Sequence, residues 1–342
     1  MIYFTTYFDK NYLSRGLVLY DSIVNYCGQF RLYVLCLDAF TFEYFLKNSG
    51  SYPELIILSL NDLEEYDKEF KGCKTNRSKI EYYFTMSPCL PLFLLKKYNI
   101  PHICSLDTDM KFYSSPEVIL SYLDKYSVLI TPHNFSTEIK QYEVYGIYNV
   151  SFQVFKNDKN GLICLESWRK QCIDWCYDKY EDGKFADQKF LDTWITDFKG
   201  VCAIDILGIG VAPWNINAYK ITVRDNQVYV NDSKLICYHF YGLRIINKHL
   251  ITHRLTSFAV KISKEKTKYL YKPYINSLLS YKNVSDSEIE RNGTESVLKT
   301  ILFQKDWFYY KSGILFKSNI FIESLGKCII YMNSRLKKWR IK

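Results

Sequence analysis

Two aspartates one residue apart, Asp107 and Asp109, close an apolar run, ICSL at 103–106. In open α/β sheets ligands bind off the carboxyl ends of the strands. Two carboxylates at such an end can hold a hard divalent cation, which in turn neutralises a diphosphate. Asp pairs are also common in surface turns, but ICSL before and MKFY after leave little room for a solvated turn. His239 follows a second apolar run, 235–238, in CYHFYGLR. Its neutral imidazole would add a ligand for Mn²⁺, although a lone His beside aromatics is more often a core residue. Gly242 would let the backbone approach a phosphate, and Arg244 offers forked donors for one.

Two further groups could face a substrate. Asp187 and Gln188 open a helical stretch after the flexible Glu181-Asp182-Gly183, either as an N-cap or facing a sugar hydroxyl or reacting carbon. Trp214 and Asn215 end a Gly/Pro loop, GIGVAPWN at 208–215, and read as an exposed pair that could stack on a sugar. A hinge fits that loop equally well. Other chemistries are absent. Gly208 and Gly210 do not make GxGxxG after the first strand, there is no GxxxxGK[ST], no GxSxG, and His249 and His253 lack the Glu of a zinc helix.

The elements that must position these residues are read from periodicity. Residues 2–8 read as a strand, with Asp9 and Asn11 able to cap the helix after it. Residues 13–26 recur at helical spacing, 31–37 is a buried strand, 42–47 is helical, and 55–60 is another strand. This β-α-β-α-β order argues for a parallel sheet with crossover helices. Helix is expected over 87–98, with Pro88 and Pro91 near its start, then a strand over 101–106. Strands are expected at 128–131 and 150–155, a helix over 161–180 and a short one over 187–194.

Composition bounds the rest. A chain of 342 residues makes one large domain, or one with an appendage. At 48% hydrophobic and 24% charged it is not a disordered chain. The 17% aromatic share, with 31 Tyr and 22 Phe, fits core residues first and a ligand groove second. Eleven scattered cysteines without a CxxC point to free thiols in a reducing cytosol. No basic leader opens the chain and no run of about 18 apolar residues occurs, so neither a signal peptide nor a membrane span is expected. The net charge is +9, but residues 327–342 alone carry +6, leaving only +3 on the first 326. A nearly balanced body disfavours nucleic-acid binding. Residues 320–339 place Phe321, Leu325, Ile329, Met332 and Trp339 on one helical face and Lys327, Arg335 and Lys338 on the other. That pattern suits a helix lying on an anionic membrane surface, or one docked on the body with a basic edge.

Taken in order, these pieces resemble the GT-A fold glycosyltransferases, most closely family 8 and its relatives in bacterial polysaccharide and lipopolysaccharide loci, over residues 1–253. The resemblance implies that Thr5, Thr6 and Asp9 in FTTYFD hold the base and ribose of a nucleotide, and that Arg77 and Lys79 in KTNRSKIEYYFTMSP approach the donor. It implies Asp107, Asp109 and His239 as metal ligands, with Asp107 also serving the donor site, and matches Asp187-Gln188 to the family's DQ pair. YNVSFQVF, with Asn149 and Ser151, matches a family strand loosely. His239-Phe240-Tyr241-Gly242 matches HxxG, but Arg244 follows Gly242 by two residues where the family has a Lys at three before Pro-Trp. The implied architecture is an α/β mixed sheet flanked by helices over 1–262, with a C-terminal helical extension over 263–342. The implied activity is Mn²⁺- or Mg²⁺-dependent transfer of a hexose from a UDP-sugar to a saccharide or lipid-linked saccharide, with retention. Trp214 and Asn215 would serve the acceptor. In an inverting enzyme Asp187 would instead be the general base. The expected location is cytoplasmic, peripheral on the inner face of the membrane through the tail. Two rivals stay open: an inactive subunit of the same fold, and a nucleotidyltransferase on a related sheet.

Overall fold

The alternation at the start of the chain is realised as β1 (Ile2–Phe8), α1 (Leu13–Tyr26), β2 (Phe30–Cys36), α2 (Ala39–Lys47) and β3 (Leu55–Ser59). Next come α3 (Leu60–Tyr66), α4 (Lys68–Gly72), α5 (Lys79–Tyr98), β4 (His102–Leu106) and β5 (Met110–Phe112). After these lie α6 (Ile119–Leu123), β6 (Val128–Pro132), β7 (Tyr148–Lys156), α7 (Lys159–Asp174), α8 (Trp194–Asp197) and β8 (Val201–Ala203). A small antiparallel sheet, β9 (Ile221–Arg224), β10 (Gln227–Val230) and β11 (Ser233–Lys234), precedes β12 (Cys237–His239). The computed structural model describes residues 1–247, 250–260, 262–281, 307–311 and 314–317.

The central sheet has the order β3-β2-β1-β4-β7-β6-β8. Every neighbouring pair is parallel except those of β7, which runs antiparallel to both β4 and β6. The sheet is therefore mixed rather than parallel throughout. The reason is local: β6 and β7 are joined by a 3₁₀ segment, Thr137–Tyr145, instead of a crossover helix.

Alternation along β2 divides the core. Tyr33 and Leu35 join a buried cluster with Met86, Leu90, Phe93 and Leu94 of α5, Trp168 of α7 and Trp194 of α8. Leu32 and Val34, also buried, face the opposite side of the sheet. Each such side chain contributes about 1.5–3 kcal/mol on burial.

Two helix boundaries differ from expectation. Helix α5 begins at Lys79, not near 87, because Ser78 and Glu81 form a reciprocal capping box. Pro88 and Pro91 lie inside that helix rather than at its start. Helix α7 ends at Asp174, where Trp175 turns extended, and the chain beyond forms a bridge between Glu181 and Lys184. The helical stretch foreseen at 187–194 is a 3₁₀ turn, Gln188–Thr193, running into α8.

Two compact units divide the chain, Met1–Phe240 and Tyr241–Lys342. The second holds β13 (Arg244–Asn247), β14 (Leu250–Thr252), α9 (Lys264–Lys266), α10 (Lys272–Ser280), β15 (Trp307–Lys311) and β16 (Ile314–Lys317). Its four strands form an antiparallel sheet, order β13-β14-β15-β16. The basic tail, 320–339, lies outside the described residues. Among the described residues no helix is long and apolar enough to cross a membrane. The ten described cysteines are unbridged, and all but Cys202 are buried.

Candidate active site

The turn after β4 is pinned from both sides. Asp107 N donates to the Ser151 carbonyl of β7 at 3.0 Å. Thr108 Oγ1 donates to the Tyr7 carbonyl of β1 at 3.1 Å and meets Thr6 Oγ1 at 2.9 Å. With the middle residue fixed, Asp107 and Asp109 project from alternate positions of a held turn. The chain continues into β5, which pairs antiparallel with β12 so that Met110 lies opposite His239. Phe240 N donates to the Asp109 carbonyl at 2.9 Å, and His239 N to the Val211 carbonyl at 3.0 Å. Residues more than a hundred positions apart are thereby brought into one cluster.

One ligand atom each from Asp107, Asp109 and His239 lie within 4.8 Å of one another. His239 Nε2 is 2.9 Å from Asp109 Oδ1 and 3.6 Å from Asp107 Oδ2. The side chains grade from 4% exposed at His239 through 15% at Asp109 to 38% at Asp107, so the cluster opens to solvent on the Asp107 side. Two carboxylates and an imidazole suit a hard-to-borderline divalent cation, Mn²⁺ above Mg²⁺.

The electrostatics are those of a compressed acid pair. Burial pushes Asp107 up to about 6, Asp109 adds to the rise, and His239 opposes it. Burial also works to raise Asp109, but His239 and then Arg15 hold it below the usual carboxylate range. Burial works to lower His239, yet the two aspartates keep it above the ordinary histidine value. A metal must displace these protons. Mn²⁺ affinity is therefore expected to fall already as pH drops through the histidine range, where His239 takes its proton, and more steeply below about 6, where Asp107 follows, by up to about tenfold per pH unit for each proton displaced. Titration calorimetry between pH 5 and 8 checks this; constant affinity with no proton release contradicts it.

The residues expected to hold the donor fall into two groups. Thr5 and Thr6 are fully buried on β1. Asp9 caps the next turn by accepting from Asn11 N, and Lys79 Nζ pairs with its carboxylate at 2.8 Å. The first loop and the start of α5 thus meet. Arg77 instead lies 4.0 Å over the Tyr177 ring and donates to the Tyr177 hydroxyl and the Ile173 carbonyl, bracing α5 against the end of α7.

Asp187 is 2% exposed, its Oδ2 meets no hydrogen-bond partner, and the nearby Ser87 of α5 favours its ionised form. Burial pushes it up to about 7, and Asp107 adds to the rise, so the two acids sense one another. Ser87 also meets the Tyr7 hydroxyl at 3.1 Å, and Trp168 Nε1 donates to the Asp187 carbonyl. Ala186 before it is held at φ 46°, a left-handed conformation costing a non-glycine residue about 1–2 kcal/mol. Gln188 turns aside and donates its amide to the Tyr145 carbonyl at 3.0 Å.

The Trp214–Asn215 pair is buried, which corrects the expected exposure. Asn215 is 1% exposed, and its side chain is consumed by the His133 and Gly210 carbonyls and Ala212 N. Trp214 stands edge-on to His239, ring centroids 5.3 Å apart at 90°. The loop chemistry explains this: three backbone groups needed a partner, and Asn supplied it. Gly242 and Arg244 belong to the second unit, where Gly242 takes φ 78° beside Arg254.

Sequence reading missed Arg15, Ser87 and His133. Arg15 is 2% exposed in α1 and its charge acts on Asp109. Its signal was a basic residue within the apolar run of LSRGLVLY. His133 is buried and pushed down to about 3 by that burial.

No protein-family model matches the chain. It is 28% identical over 281 residues to the uncharacterized protein YfnD of Bacillus subtilis (strain 168), covering 81% of this chain and 88% of that protein. Among solved structures it is similar to the apo form of glycosyltransferase GlyE from Streptococcus pneumoniae TIGR4. That match has a TM-score of 0.49 and 13% identity over 84% of this chain and 65% of the other. The galactosyltransferase LgtC, in complex with donor and acceptor sugar analogues, aligns with a TM-score of 0.47 and 15% identity over 79% of this chain and all of LgtC.

Proposed function

We propose that the protein is a metal-dependent glycosyltransferase that moves a hexose from a UDP-sugar to a saccharide or lipid-linked saccharide, with retention. The observation that carries this reading is the Asp107–Asp109–His239 cluster, open on one side, at the carboxyl end of β4. The motif order of the sequence supports it. In this reading the triad holds Mn²⁺ or Mg²⁺. When bound, the ion supplies Lewis-acid stabilisation of the charge that develops on a leaving diphosphate.

The chain's own residues do the rest. Asp9, just after β1, faces the nucleoside with Lys79 holding its carboxylate in place, while Thr5 and Thr6, buried within β1, support the site from beneath, Thr6 through Thr108. Arg15 offsets the negative charge of Asp109 from the buried side. Asp187, its carbonyl held by Trp168 and its Oδ2 left without a partner, offers a carboxyl group to the donor sugar, while Gln188 anchors the turn through the Tyr145 carbonyl. His239 is held against Trp214, so its Nε2 stays aimed at the two aspartates. Attachment to anionic lipid through the basic tail extends this reading.

A panel of nucleotide sugars with Mn²⁺ tests the proposal by hydrolysis and by thermal stabilisation. UDP-sugars are expected to be hydrolysed slowly and to raise the unfolding midpoint only with metal present. No response to any nucleotide sugar would sink the proposal.

A further inference from the structure

A chain of rings runs from the metal-ligand cluster to solvent. Trp214, edge-on to His239, lies 5.2 Å from His133, which stacks on Phe135 at 4.5 Å and 11°. Phe135 meets Tyr142 at 6.2 Å, and Tyr142 meets Tyr145 at 6.2 Å. Tyr145 then touches Phe185 at 4.7 Å and Tyr180 at 6.4 Å. Trp214 and His133 are buried and Phe135 and Tyr142 half-buried, while Tyr145 is 37% and Tyr180 49% exposed.

The outer rings are built in rather than frayed. Gln188 donates to the Tyr145 carbonyl, and Asp192 accepts from Ile147 N at 2.8 Å while pairing with Lys189 at 2.6 Å. The 3₁₀ segment bearing Tyr142 and Tyr145 is thus tied to the turn bearing Asp187. Exposed aromatics held in place and continuous with a reaction centre mark a binding surface. Tyrosine presents an apolar face and a polar tip. A pyranose presents the same pairing, C–H groups on its faces and hydroxyls around its rim.

We propose that Tyr142, Tyr145 and Tyr180 form a track that stacks against successive rings of a saccharide chain, making the acceptor an oligosaccharide rather than a single sugar. The proposal rests on the glycosyltransferase reading for the word acceptor, and on the ring geometry alone for saccharide binding.

The test titrates the full-length protein with maltohexaose, cellohexaose, chitohexaose and the parent monosaccharides by calorimetry. At least one hexasaccharide is expected to bind more tightly than its monosaccharide. Tyr145→Ala and Tyr180→Ala are each expected to weaken that binding by about three- to tenfold, and Tyr180→Phe to retain it. Mn²⁺ affinity and the unfolding midpoint should match wild type in all three variants. No hexasaccharide binding by wild type, indifference to both alanine variants, or a parallel loss of Mn²⁺ affinity overturns the track. So does a dimer that the alanine variants dissociate without changing saccharide binding. Tyr-dependent binding in a protein that hydrolyses no nucleotide sugar would leave the track standing and remove the glycosyltransferase reading.

Discussion

Replacing Asp109 with Ala should abolish Mn²⁺-dependent UDP binding and reduce transfer by about 10²–10³-fold or more. Loss of one preorganised group at a site of developing charge costs about that much, and in the proposed function the group is also a metal ligand. Asp109 is the carboxylate that its neighbours keep ionised against the pull of burial: His239 lies 2.9 Å away and Arg15 acts on it from α1. Without it His239 loses its nearest acid and Asp107, pushed up to about 6, is left as the lone carboxylate. The fold should survive, because the backbone carbonyl of residue 109 still receives Phe240 N. Asp109→Asn preserves shape and should lose metal nearly as completely, which separates charge from packing. UDP titrations with and without EDTA decide the matter. Equal UDP affinity in wild type with EDTA present would falsify the metal-bridged reading.

The second large effect is expected at a glycine far from the aspartates in sequence. A Cβ on residue 208 would sit 2.1 Å from the Lys234 carbonyl oxygen and 3.0 Å from Ile236 N, both backbone atoms that cannot rotate away. The Gly208 carbonyl also receives Ile236 N and Cys237 N, at 2.9 and 3.1 Å. These bonds set the entry to β12, two residues before His239. Gly208→Ala should therefore cost about 3 kcal/mol, lower the unfolding midpoint by several degrees, and weaken Mn²⁺ binding. Gly50→Ala, whose Cβ would meet nothing within 4 Å, is the matched control and should be close to neutral. Thermal melts and Mn²⁺ titration of the two variants check this. A stable Gly208→Ala protein with normal metal affinity would show that the loop does not set the histidine.

Legibility tracked the range of the interaction. The strands over 2–8, 31–37 and 55–60 were readable because apolar runs bounded by caps and turns are local signals. Helix α5 was misplaced at its start although Ser78-Lys79-Ile80-Glu81 is a readable capping box; two interior prolines masked it. Reversal of β7 was not readable, since direction depends on what joins β6 to β7, and a 3₁₀ segment of mixed polarity leaves no periodic trace. Nor was the burial of Trp214 and Asn215, which hangs on the distant His133 carbonyl together with backbone groups of the loop itself.

The sequence by itself determined the chemical types: a DxD after a buried strand, a histidine after another, and an acid-amide pair opening a helical turn. It also located most of the excess positive charge in the last sixteen residues. Only the tertiary structure decided which of these residues meet. The β5–β12 ladder carries His239 to Asp109 across 130 positions of chain. The same packing turns Arg77 toward Tyr177, brings the charge of Arg15 to bear on Asp109, and lines up tyrosines that look ordinary in a Tyr-rich sequence. The physical reason is that residue type and short spacing are encoded locally. Proximity and burial arise only when strand register and packing close the chain on itself.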